Sequence, residues 1–135
     1  MKIIIDRPFD IPSSTPQQRK LGSRATHPTQ GLRYARAAWR ALVEPYSPAR
    51  PMAGAVALQV FLLYHTDDKG KAWKAKTTRP DGDNLLKVIK DAMTKAGYWK
   101  DDAQVFYELI SRRWTDGESR VGIKVSGDLE EEMEE

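Results

Sequence analysis

Gly54-Ala55-Val56-Ala57-Leu58-Gln59-Val60-Phe61-Leu62-Leu63-Tyr64-His65 carries the longest apolar run of the chain, and the fold follows from how it is read. Val56, Leu58, Val60, Leu62 and Tyr64 alternate with Ala57, Phe61 and Leu63, and Gln59 is the one polar residue inside the run. The run is far short of the ~20 apolar residues that a membrane span requires, and it reads as a strand buried on both faces. Upstream, Leu32, Ala35, Trp39, Leu42 and Val43 recur at helical spacing and stop before Pro45. Downstream, Leu85, Val88, Ile89, Ala92 and Met93 form one apolar helical face, with Asp83 placed to cap its start and Gly97 to end it. Ile3 to Ile5 reads as a short first strand; Val105 to Trp114 and Val121 to Val125 read as a closing hairpin around Thr115-Asp116-Gly117-Glu118. The order β-α-β-α-β-β predicts a single α/β (α+β) domain over residues 1–127, a mixed β-sheet packed by two main helices.

Composition narrows the function. A chain of 135 residues can bury one real core. Without cysteine it has no disulfide, no thiolate metal site and no cysteine nucleophile, and His27 and His65 are too few for a multi-histidine zinc site. The first residues lack the apolar segment of a secretory signal, so a soluble, cytoplasmic protein is expected. Residues 128–135 hold 6 of the 19 acids and none of the 22 bases, which leaves residues 1–127 at net +9. A body that basic suits a polyanion such as nucleic acid, although a solvated surface explains the charge equally well. The acidic tail itself is expected to be disordered.

The basic residues fall into two groups. Arg33, Arg36 and Arg40 make a stripe on the first helix, away from its apolar face. Lys69, Lys71, Lys74, Lys76 and Arg79 surround Trp73 in the long polar segment 66–80. Bases interleaved with an exposed aromatic suit phosphate contact and base stacking; the competing reading folds Trp73 back onto the core.

The acids are clustered as well. Asp81 and Asp83, two apart on an extended approach, would point their carboxylates to one side and could share a hard divalent cation such as Mg²⁺. Asp102 ends the connection that returns from the helix and could meet them across the sheet. Lys87 lies one turn beyond Asp83, where an ammonium could hold water or offset charge on a phosphate; Asp91, a turn further, could orient it. Each residue also has a plainer reading: Asp83 as a helix cap, Asp81-Gly82 as a turn, Lys87 and Asp91 as a surface pair. A calcium-binding hand is excluded because Leu85 stands at the next ligand position, and no Gly-rich phosphate loop is present.

Arg79-Pro80-Asp81-Gly82-Asp83-Asn84-Leu85-Leu86-Lys87, Asp91-Ala92-Met93, Gly97-Tyr98-Trp99 and Asp101-Asp102-Ala103-Gln104-Val105 resemble the signature of the RusA family of Holliday-junction resolvases. Pro12-Ser13, His27, Gly31 and Tyr34 follow in a similar order, whereas Ser14-Thr15-Pro16 replaces the family's asparagine-containing stretch. The resemblance implies a homodimeric endodeoxyribonuclease that uses Mg²⁺ or Mn²⁺ to cut opposed strands of a four-way junction, a hydrolase of DNA recombination and repair often found in phages and prophages. It further implies Asp81, Asp83 and Asp102 as metal-binding catalytic acids and Lys87 as the catalytic lysine; beside these, Asp101, Asn84 and Asp91 are candidates for supporting roles. Two other readings of the residues stay open: a nuclease for flaps or other branched DNA, and a catalytically silent DNA-binding module.

Overall fold

A computed structural model describes residues 1–15 and 29–129. Strand β1 spans Lys2–Pro8, helix α1 Gln30–Val43, strand β2 Met52–His65, helix α2 Gly82–Lys95, strand β3 Val105–Thr115 and strand β4 Arg120–Leu129. His27, Pro16 and residues 130–135 of the acidic tail lie outside the described residues. Asp128 and Leu129, assigned from the sequence to that tail, belong instead to the end of β4. No helix among the described residues is long and apolar enough to cross a membrane.

The helices start and stop where local chemistry directs. The Thr29 hydroxyl accepts the Leu32 N–H at 3.1 Å and caps α1. The cap of α2 is Asp81 rather than Asp83: Asp81 Oδ1 accepts the Asn84 N–H at 2.9 Å, which moves Asp83 into the first turn. Gly97 follows α2 at φ +90°, a backbone region open to glycine at little cost.

The four strands lie in the order β1-β4-β2-β3. β3 runs parallel to β2, and β4 runs antiparallel to both β2 and β1. The expected β3–β4 hairpin is therefore absent, because β2 stands between the two strands. Their connection passes over the end of β2, where the Thr66 N–H donates to the Thr115 carbonyl at 2.8 Å and the His65 N–H to Ser119 Oγ at 3.0 Å. The most apolar strand takes the centre, where both of its edges are hydrogen-bonded.

Burial of β2 on both faces also needs correction. Val56, Leu58, Val60 and Leu62 are buried with Ala35, Trp39, Leu42 and Val43 of α1 and Leu85, Val88, Ile89, Ala92 and Met93 of α2. Both helices thus cover one face of the sheet. The opposite face has no covering layer among the described residues, and Ile4 and Phe61 stand 58% and 43% exposed on it. Tyr98 and Trp99, both buried, close the floor of the core: the Tyr98 hydroxyl donates to the Val43 carbonyl at 2.6 Å and Trp99 Nε1 to Thr94 Oγ1 at 2.7 Å.

Candidate active site

The crossover from β2 through α2 to β3 determines where the acids stand. Gly82 opens α2 against β3 so closely that a Cβ there would meet Ile110 Cγ2 at 3.0 Å. From that point α2 runs back down the sheet, with Lys90 Nζ 2.9 Å from Glu108 Oε2. Asp81, Asp83 and Lys87 therefore sit on the cap and first two turns of α2, level with the middle of β3, and all three are solvent-exposed. Asp83 and Lys87 form no ion pair among the described residues, and neither does Asp81, whose second carboxylate oxygen keeps no protein partner there. An unpaired carboxylate at a helix N-terminus is favoured by the helix dipole, whose positive end lies at the first turn.

Asp102 is placed elsewhere. It begins the 3₁₀ turn Asp102–Gln104, just before β3, and Gln104 Nε2 ties that turn to the start of β2 through the carbonyls of Met52 (2.9 Å) and Gly54 (3.0 Å). From Val105 to Ile110 the strand rises by roughly 17 Å, at about 3.3 Å per residue. That is the approximate separation, along β3, between Asp102 and the start of α2. Consistently, among the described residues no three acids or histidines lie close enough to hold one metal ion. The expectation that Asp102 meets the first pair across the sheet is not met within one chain. The donor set of Asp81 and Asp83, two exposed carboxylates with free oxygens, does fit a hard divalent cation.

The supporting residues resolve differently. Asp91 does not orient Lys87; its Oδ2 pairs with Lys95 Nζ at 3.1 Å, one turn further on. Asp101 caps the 3₁₀ turn by accepting the Ala103 N–H at 2.9 Å, in a reciprocal box with Gln104. Asn84 contributes the backbone N–H that Asp81 accepts.

The segment 66–80 is not structureless. It lies along the free edge of β3: the Trp73 N–H donates to the Trp114 carbonyl at 2.8 Å, the Trp114 N–H to the Lys74 carbonyl at 3.0 Å, and the Lys76 N–H to the Arg112 carbonyl at 2.9 Å. Trp73 holds φ +68°, which is uncommon for a bulky residue, and both of its backbone groups are engaged, its carbonyl by Arg113 Nη1 at 2.8 Å. The indole does not fold onto the core but stands 60% exposed. Lys69, Lys71, Lys74 and Arg79 are exposed around it, while Lys76 is only 7% exposed and is removed from the solvent-facing set. On α1, Arg33 is exposed, Arg36 and Arg40 line a groove of about 220 Å³ against α2, and Arg40 is paired with Glu44 at 3.0 Å.

Sequence reasoning missed Arg112 altogether. Its Nη1 donates to the carbonyls of Thr78 at 3.0 Å and Pro80 at 2.6 Å, immediately before Asp81. The available signal was parity: Arg112 pairs with Leu62 and shares the core-facing side of β3 with Ile110, an unusual place for a guanidinium.

Comparison with known proteins gives a consistent picture. The sequence profile described as Endodeoxyribonuclease RusA matches residues 8–126. The chain is 38% identical over 69 residues to "Crossover junction endodeoxyribonuclease rusA" of Lactococcus phage r1t, covering 51% of this chain and 52% of that protein. It is 52% identical over 40 residues to "Crossover junction endodeoxyribonuclease RusA" of Escherichia coli strain K12, and likewise to the protein of that name from Enterobacteria phage 82, covering 29% of this chain and 33% of each relative. The chain thus spans about half the length of the first of these relatives and a third of the other two.

Proposed function

The chain belongs to the RusA endodeoxyribonuclease family, and from that premise we propose that it resolves four-way DNA junctions by metal-dependent hydrolysis of one phosphodiester in each of two opposed strands. The observation that carries this reading is the pair of carboxylates Asp81 and Asp83, with Lys87 beside them at the exposed start of α2, none of the three in an ion pair among the described residues. Mutually repelling acids would weaken a polyanion surface unless a cation joined them. A bound Mg²⁺ or Mn²⁺ would supply Lewis acidity and a water of lowered pKa. Asp81 and Asp83 would hold that cation, and the role of Asp81 as helix cap would fix its orientation as a ligand. Lys87, an exposed ammonium one turn along, offsets negative charge that develops on the phosphate.

DNA is held by the edge of β3 and its loop. Lys69, Lys71, Lys74 and Arg79 contact phosphates, and Trp73, fixed by its backbone and exposed at its ring, stacks on or wedges between bases. Arg33 and Arg36 extend the basic surface along α1. Replacing Lys69 and Lys74 by Gln is expected to flatten the log–log salt dependence of junction affinity by about one to two units, since each neutralised phosphate contributes nearly one. An unchanged slope in gel-shift titrations would place the loop away from DNA.

The active form in this reading is a homodimer with two-fold symmetry, which matches two symmetry-related cuts. Two features support it. The uncovered sheet face carries an apolar groove of about 260 Å³ lined by Ile4, Phe61 and Leu63, a surface that a second copy can bury. The separation of Asp102 from Asp81 within one chain is relieved if Asp102 of the partner subunit completes each centre.

One gel tests the function: a mobile four-way junction, a flap and a plain duplex, each with Mg²⁺ or with EDTA. Paired symmetric cuts in the junction alone, and only with Mg²⁺, are expected. Preferential flap cleavage would establish the broader branched-DNA nuclease, and binding without cleavage would establish the silent module.

A further inference from the structure

Lys76 is a buried cation that meets no carboxylate among the described residues. Its Nζ uses its donors on the Thr78 carbonyl at 3.1 Å, Thr78 Oγ1 at 2.8 Å and the Arg79 carbonyl at 2.9 Å. The ammonium lies 4.7 Å from the centre of the Tyr64 ring and 5.4 Å from that of Trp114. Arg112 approaches the same stretch of backbone and takes the carbonyls of Thr78 and Pro80. Three consecutive carbonyls, those of Thr78, Arg79 and Pro80, are thus held by two side-chain cations.

Such an arrangement is unfavourable in itself. Burying an ammonium costs free energy unless it is well hydrogen-bonded, and a guanidinium nearby adds repulsion. Both effects push the Lys76 pKa down, burial most and the Arg112 charge next. A methionine would fill the same space beside Tyr64 and Trp114 without either penalty. What the two cations provide, and an apolar side chain cannot, is a fixed path for the backbone that leads into Asp81. On its other side Asp81 is fixed by α2, through the Asn84 N–H on its Oδ1 and the Leu85 N–H on its carbonyl at 3.1 Å.

We propose that Lys76 and Arg112 are positioning residues for the cleavage centre: by holding the carbonyls of Thr78, Arg79 and Pro80 they fix the geometry with which Asp81 presents its free carboxylate oxygen to a divalent cation. The proposal rests on the reading of Asp81 as a metal ligand. It assigns Lys76 to the metal site's support, where counting charges would place it among the phosphate contacts. Residues that orient metal ligands in this way change metal affinity or activity by about 10- to 100-fold when they are removed.

The test uses the full chain and its Lys76→Met variant. Mn²⁺ binding is followed by electron paramagnetic resonance without DNA, and single-turnover cleavage of a bound junction is followed across a Mg²⁺ series. Thermal unfolding checks the fold, and gel shift in EDTA checks junction affinity. Lys76→Met is expected to fold, to bind junction as the wild type does, and to bind Mn²⁺ at least about tenfold more weakly. Its cleavage should need correspondingly more Mg²⁺ and recover as Mg²⁺ is raised, which loss of a phosphate contact would not produce. Should Lys76→Met fail to fold, Thr78→Val, which removes only the hydroxyl acceptor on an exposed residue, is expected to shift the same readouts in the same direction. A folded variant with wild-type Mn²⁺ affinity overturns the proposal, as does a wild-type chain that binds no Mn²⁺. A wild type that binds Mn²⁺ but cuts no branched DNA overturns the resolvase reading alone, and the Mn²⁺ affinity of Lys76→Met still decides the clamp.

Discussion

Asp83→Asn is expected to separate cutting from binding. The substitution keeps the shape of the side chain, removes its charge and weakens it as a ligand for a hard cation. Asp83 lies in the first turn of α2, exposed and without an ion pair among the described residues, so neither fold nor packing depends on its carboxylate. Transition-state stabilisation by a bound cation is worth several kcal/mol, and its loss corresponds to a rate reduction on the order of a thousandfold. Junction affinity should hold or rise, because one repulsive charge facing the phosphates is gone. Single-turnover cleavage and gel shift on the same preparation measure the two quantities. Parallel loss of both would remove Asp83 from the metal site.

The second large effect concerns mixed dimers. Asp83→Asn and Asp102→Asn should each inactivate the homodimer. If Asp102 serves the centre of the other subunit, a heterodimer of the two variants carries both lesions in one centre and none in the other. Co-expression with two affinity tags would isolate that heterodimer, and it should nick junctions in one strand at roughly half the wild-type rate per dimer. If Asp102 serves its own chain, each centre carries one lesion and the heterodimer is as inactive as its parents. The contrast is between near-normal nicking and almost none, and it follows directly from the distance along β3 that separates Asp102 from the start of α2.

Legibility differed with the range of the interaction. Both helices and all four strands could be read from local pattern, because periodicity at Leu85, Val88, Ile89 and Ala92 or alternation at Val56, Leu58 and Val60 reports a neighbour on one side only. The order of the strands could not. A turn such as Thr115-Asp116-Gly117-Glu118 is compatible with a hairpin or with a step over an intervening strand, and the choice rests on β2 pairing on both edges. The second face of β2 misled for a related reason: Ala57, Phe61 and Leu63 are as apolar as a covered face would be, yet no helix among the described residues covers them. At the site, the motif residues were legible as a set, but the placement of Asp102 was not, since sequence separation carries no information about distance along a sheet. Lys76 shows the limit most plainly. Nothing in its composition or spacing distinguishes it from Lys74, and only the converging carbonyls of Thr78 and Arg79 do.

The place of β4 between β1 and β2 has a consequence for biosynthesis. β1 leaves the ribosome first, yet its hydrogen-bonding partner across Lys2 is Ser126. At a synthesis rate of about 5–20 residues per second, the separation of 124 positions from Lys2 to Ser126 keeps β1 waiting for roughly 6–25 s. During that interval the nascent chain can pair β2 with β3 and dock α2 against one face of that pair, but one edge of β2 stays open and β1 remains an orphan. Long-range pairing of this kind is slow and leaves unpaired strand edges available to other chains. The nascent protein is therefore most vulnerable to aggregation once β3 has emerged, just before β4 enters the gap and joins the two halves of the sheet.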